Sequence, residues 1–86
     1  MPEAYRLVFT RSAQKELDRI PQDDARRIAL RIQRLTSDPR PPGCEKLRGA
    51  DAYRIRQGDY RVLYTVADTD RLIEIYRIGH RREVYR

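Results

Sequence analysis

Arginine side chains between residues 53 and 64 are the ones best suited to chemistry in this sequence. A Gln-Gly-Asp turn at 57–59 separates two alternating apolar runs there, which predicts a β-hairpin. Because side chains alternate between faces along a strand, Arg54 and Arg56 share one face, and Arg61 can join them across the turn. Guanidinium groups stay charged and match phosphate oxygens in shape. The hairpin therefore predicts a surface that binds a polyanion.

Such a surface can support RNA cleavage without a metal, because RNA supplies its own 2′-OH as the nucleophile. The protein then needs a base, fixed cations around the pentavalent phosphate and an acid for the leaving 5′ oxygen. The last strand is expected to bring His80 and Tyr85 near the basic face, where Tyr85 can stack on a base. Lys46, Arg48 and Arg82 are predicted to add to substrate binding. DNA lacks the 2′-OH, so this chemistry selects RNA.

Other catalytic chemistries find little support in the residues. One histidine and one cysteine cannot make a His/Cys ligand set, so we expect no metal and no cofactor. A nucleophilic pair of Cys44 and His80 stays open on paper, but Cys44 follows a proline-rich loop and no third group orients the pair. The glycines are isolated from one another, which excludes a glycine-rich phosphate loop.

Length and charge limit the class of protein. Eighty-six residues predict a single domain, 1–86, with room for one core. A net charge of +6 and a pI near 10.0 favour nucleic acid or an anionic membrane surface as partner, although a genome with biased codon usage also enriches arginine. The apolar runs are far shorter than the roughly 20 residues that span a bilayer, and the first residues do not resemble a signal peptide. We expect a cytoplasmic protein with no membrane partner.

The hydrophobic pattern predicts an α+β fold. An N-terminal strand at Ala4–Phe9 is followed by a helical hairpin, whose second helix spans Gln22–Ser37. A second hairpin at Tyr53–Val66 and a last strand at Leu72–Ile78 then form a three-stranded antiparallel meander. Both helices must pack on one face of the sheet to bury their apolar stripes.

The last strand carries apolar side chains on both of its predicted faces. Ile73 and Ile75 lie on one face, and Leu72, Tyr76 and Ile78 lie on the other. A strand with two apolar faces indicates an interior position in the sheet.

Four segments, taken together, carry a family resemblance. They are Leu47-Arg48-Gly49, Tyr53-Arg54-Ile55-Arg56, the run from Gly58 to Tyr64 and the run from Ile78 to Tyr85. In order and spacing they resemble the RelE family of toxins, within the RelE/ParE superfamily of type II toxin–antitoxin systems. Each segment alone is weak evidence for the family, but four segments in the family's order and spacing are strong evidence. The resemblance covers essentially the whole chain.

The resemblance implies a ribosome-dependent mRNA endonuclease that cuts messenger RNA in the ribosomal A site. By position it implies a basic pair at Arg54 and Arg56, a phosphate-binding arginine at Arg61, an arginine after the last strand at Arg81 and a C-terminal tyrosine at Tyr85. The basic pair is lysine in the best-studied member, and arginine is a poor general base. Either the pair acts electrostatically, or His80 is the titratable group.

The resemblance also implies partners and leaves alternatives. Expected partners are an acidic RelB-like antitoxin, the ribosome with A-site mRNA, and operator DNA bound only through the toxin–antitoxin complex. A first alternative is a ParE-type toxin that inhibits DNA gyrase and cuts nothing, although that group generally lacks the basic and aromatic set. A second is a toxin that has lost its activity and serves only, with its antitoxin, as a DNA-binding regulator.

Overall fold

The computed structural model describes residues 4–48 and 51–82. The elements in chain order are β1 (Arg6–Phe9), α1 (Arg11–Asp18), α2 (Gln22–Arg34), β2 (Glu45–Lys46), β3 (Ala52–Gln57), β4 (Tyr60–Ala67) and β5 (Leu72–His80). The strands form one sheet in the order β1-β5-β4-β3-β2, with β1 parallel to β5 and the other neighbours antiparallel. This α+β architecture confirms the sequence prediction, while the short strand β2 is an element that the pattern did not reveal.

The two helices begin and end where local hydrogen bonds favour it. Thr10 caps α1, since its Oγ1 accepts a hydrogen bond from the N–H of Ala13 at 3.1 Å. The second helix ends at Arg34, three residues earlier than predicted, because the N–H groups of residues 35–37 bond to carbonyls three positions back and tighten the last turn. No helix within the described residues is long and apolar enough to cross a membrane.

The core lies between the two helices and one face of the sheet. Ala13 of α1 and Ile28 and Ile32 of α2 pack against buried side chains that alternate along the central strands. The sheet's contribution to this core is Tyr53, Ile55, Val62, Tyr64, Val66, Ile73, Ile75 and Ile78. Because alternate residues of β3 and β4 point into the core, the intervening residues must point to the opposite face of the sheet.

A β-bulge changes the face that the end of β5 presents. This strand lies between β1 and β4, which is the interior position that its sequence indicates. Its register with β4 shifts, however. Leu63 pairs with Arg77, but the next residue of β4, Tyr64, pairs with Ile75, so Tyr76 is left as the extra residue. Ile78 therefore lies on the core face with Ile75, and the prediction that it faces the other way is wrong.

Candidate functional site

The strand register gathers three of the predicted arginines on the sheet face opposite the helices. Arg56 of β3 pairs directly with Arg61 of β4, and Arg54 lies two residues before Arg56 on the same face. Leu63, which pairs with Arg54, is only 1% exposed and gives this face an apolar floor. The spatial grouping of these three side chains follows from the hairpin register alone.

Glu45 supplies a carboxylate to this group and was not singled out from the sequence. It lies on β2 directly opposite Arg54, and its Oε1 accepts hydrogen bonds from Nη2 at 2.8 Å and Nε at 3.2 Å of that arginine. The same oxygen lies 3.4 Å from Nη2 of Arg56. The hydrogen bond and charge of Arg54 lower the pKa of Glu45, with smaller contributions from Arg56 and Arg61. Glu45 is therefore ionised at neutral pH.

Arg61 differs from its neighbours because it forms no ion pair with a carboxylate among the described residues. Its Nη1 donates a hydrogen bond to the carbonyl of Tyr60 at 3.2 Å. Burial lowers the pKa of the Arg61 guanidinium, and the nearby charges of Arg56, Arg54 and Arg81 lower it further. A bound anion would relieve this repulsion, which makes the surroundings of Arg61 a favourable place for a phosphate.

Arg81 follows the end of β5 and completes the group that we call the arginine cluster: Arg54, Arg56, Arg61 and Arg81. Its backbone N–H donates to the carbonyl of Asp59 at 2.7 Å, and its Nε lies 3.9 Å from Oδ1 of that residue. Both side chains are more than half exposed, so this ion pair is weak. Among the described residues, only Glu45 and Asp59 form ion pairs with these four guanidinium groups, so the described carboxylates do not neutralise the cluster.

His80 lies at the end of the sheet, beside the arginine cluster. It is the last residue of β5, so the strand continues past Gly79, where the sequence suggested that it ends. Its ring meets that of Tyr60 edge to face at 5.8 Å, and its Nδ1 accepts a hydrogen bond from the N–H of Arg82 at 3.2 Å. The register pairs His80 with Tyr60 and the adjacent Gly79 with Arg61. His80 is therefore one strand away from Arg61 but projects toward the helix side of the sheet.

The remaining predicted site residues are not drawn into the cluster. Lys46 pairs with Tyr53 and so projects to the opposite face from Glu45, although it is exposed at the edge of the sheet. Arg48 and Arg82 are exposed and lie outside the strands. Tyr85 falls outside the described residues, so its predicted role stays a prediction.

A second group of polar contacts, also not foreseen from the sequence, fixes the proline-rich loop to the sheet. Arg40 in this loop donates two hydrogen bonds to the carboxylate of Asp68, at 2.8 and 3.2 Å, and a third from Nε to the hydroxyl of Tyr53 at 2.8 Å. The hydroxyl of Tyr5 donates to Asp68 at 2.7 Å. Tyr64, which is fully buried, donates to the carbonyl of Pro39 at 2.7 Å. Because Glu45 comes soon after this loop, these contacts help to position the carboxylate of the cluster.

We expect these loop contacts to make stability depend on acid pH. Hydrogen bonds from Arg40 and then Tyr5 lower the pKa of Asp68 in the folded protein. These hydrogen bonds therefore add to the free energy of unfolding above the pKa of about 3.9 that Asp68 has in the unfolded chain. Their contribution is lost as the pH falls through the lower pKa of Asp68 in the folded protein. Thermal unfolding should show a lower melting temperature for Asp68→Asn than for the wild type at pH 7, and a smaller gap between them below about pH 4.

Asp70→Asn is the matched control, because Asp70 makes no ion pair with any described residue. This variant should melt close to the wild type at pH 7. A constant gap between wild type and Asp68→Asn across the acid range would contradict the assignment of the pH dependence to Asp68.

The fold and the family comparison place the chain in one class of protein. A family model described as the ParE toxin of the type II toxin–antitoxin system parDE matches residues 7–85. The chain belongs to this family, and its named relatives and structural neighbours place it among the RelE-family toxins of the RelE/ParE superfamily.

The particular relatives carry RelE-type names. Toxin RelG of Mycobacterium tuberculosis is 30% identical over 84 residues, which are 95% of this chain and 97% of the relative. A chain of the RelE–RelB complex from Pyrococcus horikoshii superimposes with a TM-score of 0.80 at 30% identity, covering 94% of this chain and 99% of the neighbour. Isolated RelE of Escherichia coli superimposes with a TM-score of 0.80 at 28% identity, covering 90% of this chain and 84% of the neighbour. The fold prediction is confirmed by these neighbours.

Proposed function

We propose that this toxin is a ribosome-dependent mRNA endonuclease that stops translation by cutting messenger RNA with the RNA's own 2′-OH. The arginine cluster on the sheet face opposite the helices carries this proposal, with half-buried Arg61 at its centre. A group of cations around an arginine that forms no ion pair with any described carboxylate suits a phosphodiester that gains negative charge during reaction.

Arg61 would stabilise the pentavalent phosphate. Its guanidinium is already held in place by the carbonyl of Tyr60 and is repelled by neighbouring arginines, so little reorganisation precedes binding of the phosphate. Arg54 and Arg56 are partly engaged by Glu45, which suits them to holding the flanking backbone. Arg81 adds a fourth cation at the end of the sheet.

Glu45 would take the proton from the 2′-OH. Arginine is effectively never deprotonated, so no member of the cluster can act as the base. The carboxylate of Glu45 lies against Arg54 and Arg56, and its lowered pKa keeps it ready to accept a proton at neutral pH. The lowered pKa also weakens it as a base, so the reaction depends on positioning more than on basicity.

His80 would protonate the leaving 5′ oxygen. In the sheet order β2-β3-β4-β5, Glu45 and His80 lie on the two outer strands of this group, and Arg61 lies between them. An in-line displacement needs its base and its acid on opposite sides of the phosphate. Because His80 projects toward the helix side of the sheet, the leaving nucleotide would have to pass over the end of the sheet to reach the imidazole. The contact of His80 with Tyr60 holds the imidazole at the end of the sheet, where the leaving nucleotide would pass.

An acidic, RelB-like antitoxin would be the protein partner. The Pyrococcus horikoshii neighbour comes from a RelE–RelB complex, and an intact RelBE complex from Escherichia coli matches with a TM-score of 0.80 at 28% identity. The net charge of +6 favours binding of an acidic antitoxin segment to the arginine cluster. A segment bound there would compete with RNA. Operator DNA would then be bound only by the toxin–antitoxin complex.

A second candidate function is a ParE-type toxin that inhibits DNA gyrase, because the matching family model carries the ParE name. The arginine cluster and its carboxylate have no evident role in that function. A toxin without activity of its own, which serves only as part of a DNA-binding complex, is a third.

Mapping RNA 5′ ends after induced expression separates these functions. The proposal predicts growth arrest with new 5′ ends at a fixed position within codons, and no cuts in RNA that is not being translated. DNA damage without such ends would indicate the gyrase function. Absence of growth arrest would indicate the purely regulatory one.

A further inference from the structure

A hollow at the end of the sheet, which we call the end pocket, is not used by the steps above. It has a volume of about 420 Å³ and lies between the turn that joins α1 to α2 and the last residues of β5. Its lining includes Arg19, Ile20, Tyr60, Arg77, Ile78 and His80. The pocket therefore contacts the helical hairpin on one side and the proposed acid on the other.

The end pocket begins one residue away from the arginine cluster. Tyr60, which forms one wall, directly precedes Arg61 in β4, and their side chains point to opposite faces of the sheet. His80, which also lines the pocket, pairs with Tyr60 across the strands. An RNA strand held at Arg61 would therefore have to pass over the end of the sheet to reach the pocket.

The lining has the chemistry that a nucleobase requires. Tyr60 and His80 provide two aromatic rings, 5.8 Å apart and nearly perpendicular, and Ile20 and Ile78 provide apolar surface. Bases stack on such rings without strict sequence preference. The cationic rim suits the phosphate that joins this nucleotide to the next one, and it includes Arg19.

Glu16 lies at the wall of the pocket and offsets the positive charge of Arg77. Its Oε1 accepts a hydrogen bond from the N–H of Ile78 at 2.8 Å, and its Oε2 lies 3.8 Å from Nε of Arg77. The carboxylate thus holds Arg77 against the wall beside the bulge of β5. The pocket's volume of about 420 Å³ leaves room for a nucleobase.

We propose that the end pocket receives the base of the nucleotide on the 3′ side of the cleaved bond. This inference rests on the proposed function, because the leaving 5′ oxygen belongs to that nucleotide and His80, its proposed proton donor, lines the pocket. Insertion of the base would draw the 5′ oxygen toward the imidazole and fix the strand beyond Arg61. Tyr60 then acts as a positioning residue for the leaving group.

The test uses ribosomes carrying an mRNA whose cleavage position has been mapped. In one mRNA the nucleotide 3′ of the cut is intact, and in a second it is replaced by a stable abasic analogue. Single-turnover cleavage by the wild type should be about 10-fold to 100-fold slower on the abasic mRNA. An abasic analogue two nucleotides upstream of the cut should cause a much smaller loss.

Tyr60→Leu and Tyr60→Phe form the matched pair of variants. Tyr60→Phe keeps the ring and should retain the abasic penalty, whereas Tyr60→Leu should be slow on both mRNAs and lose most of the penalty. The abasic penalty is the ratio of the cleavage rates of one protein on the intact and the abasic mRNA. If part of the Tyr60→Leu protein is unfolded, both rates fall by the same factor and the ratio is unchanged. Equal wild-type rates on both mRNAs would overturn this inference alone. Absence of cleavage of the intact mRNA would overturn the proposed function as well.

Discussion

The Arg61→Ala variant is expected to cut mRNA about 10²-fold to 10³-fold more slowly than the wild type, and induced cells should no longer arrest. The loss corresponds to removing one fixed donor from the transition state, about 3–4 kcal/mol. Arg61 is the member of the cluster that forms no ion pair with a carboxylate among the described residues, so its guanidinium is the one most available to a phosphate. Single-turnover cleavage on programmed ribosomes measures the effect directly.

Arg61→Ala should fold at least as well as the wild type, because the substitution removes repulsion from Arg54, Arg56 and Arg81. Arg27→Ala is the matched control: it removes the same charge from an exposed position on α2, and it should retain full cleavage. Binding of the antitoxin should largely survive in both variants, because Arg54, Arg56 and Arg81 remain available to an acidic segment. Undiminished toxicity of Arg61→Ala would exclude the arginine cluster as the catalytic site.

The Glu45→Gln variant is expected to lose about 10²-fold to 10⁴-fold in cleavage rate, the range that a general base contributes. Glutamine keeps the shape and can still accept a hydrogen bond from Arg54, but it cannot take the proton of the 2′-OH. RNA binding should improve at the same time, since Arg54 and Arg56 lose a competing negative charge. Tighter binding with slower cleavage is a combination that damage to the fold would not produce.

Asp59→Asn serves as the control for Glu45→Gln. It also removes one carboxylate charge beside the cluster, but it does so at an exposed turn where the side chain is 3.9 Å from Arg81. We expect its cleavage rate to stay within a few-fold of the wild type. If Glu45→Gln binds RNA more tightly and also cuts faster, Glu45 restrains the arginines and a different group accepts the proton.

The sequence alone was sufficient to predict the elements that depend on neighbouring residues. The periodicity of α2 and the turn at 57–59 each arise from local backbone preferences, and both are present in the structure. The same turn fixes the register of the hairpin, so the grouping of Arg54, Arg56 and Arg61 also followed from alternation along two adjacent strands.

Contacts between residues distant in sequence could not be predicted in this way. The pairing of Glu45 with Arg54 requires a two-residue strand at the edge of the sheet, too short to give an alternating pattern. The ion pair of Arg40 with Asp68 joins residues 28 positions apart, and a single charge in a loop does not indicate its partner.

What the sequence determined by itself is the α+β fold, the excess of positive charge and the face on which three arginines meet. Only the tertiary structure decided that a carboxylate lies among them, that the bulge at Tyr76 turns Ile78 into the core, and that His80 lies beside Tyr60 at the end pocket. The physical reason is that periodicity and turn chemistry act over a few residues. The pairing of the edge strand β2, the bulge in β5 and the packing of loops depend instead on the free energy of the whole sheet, which no local pattern encodes.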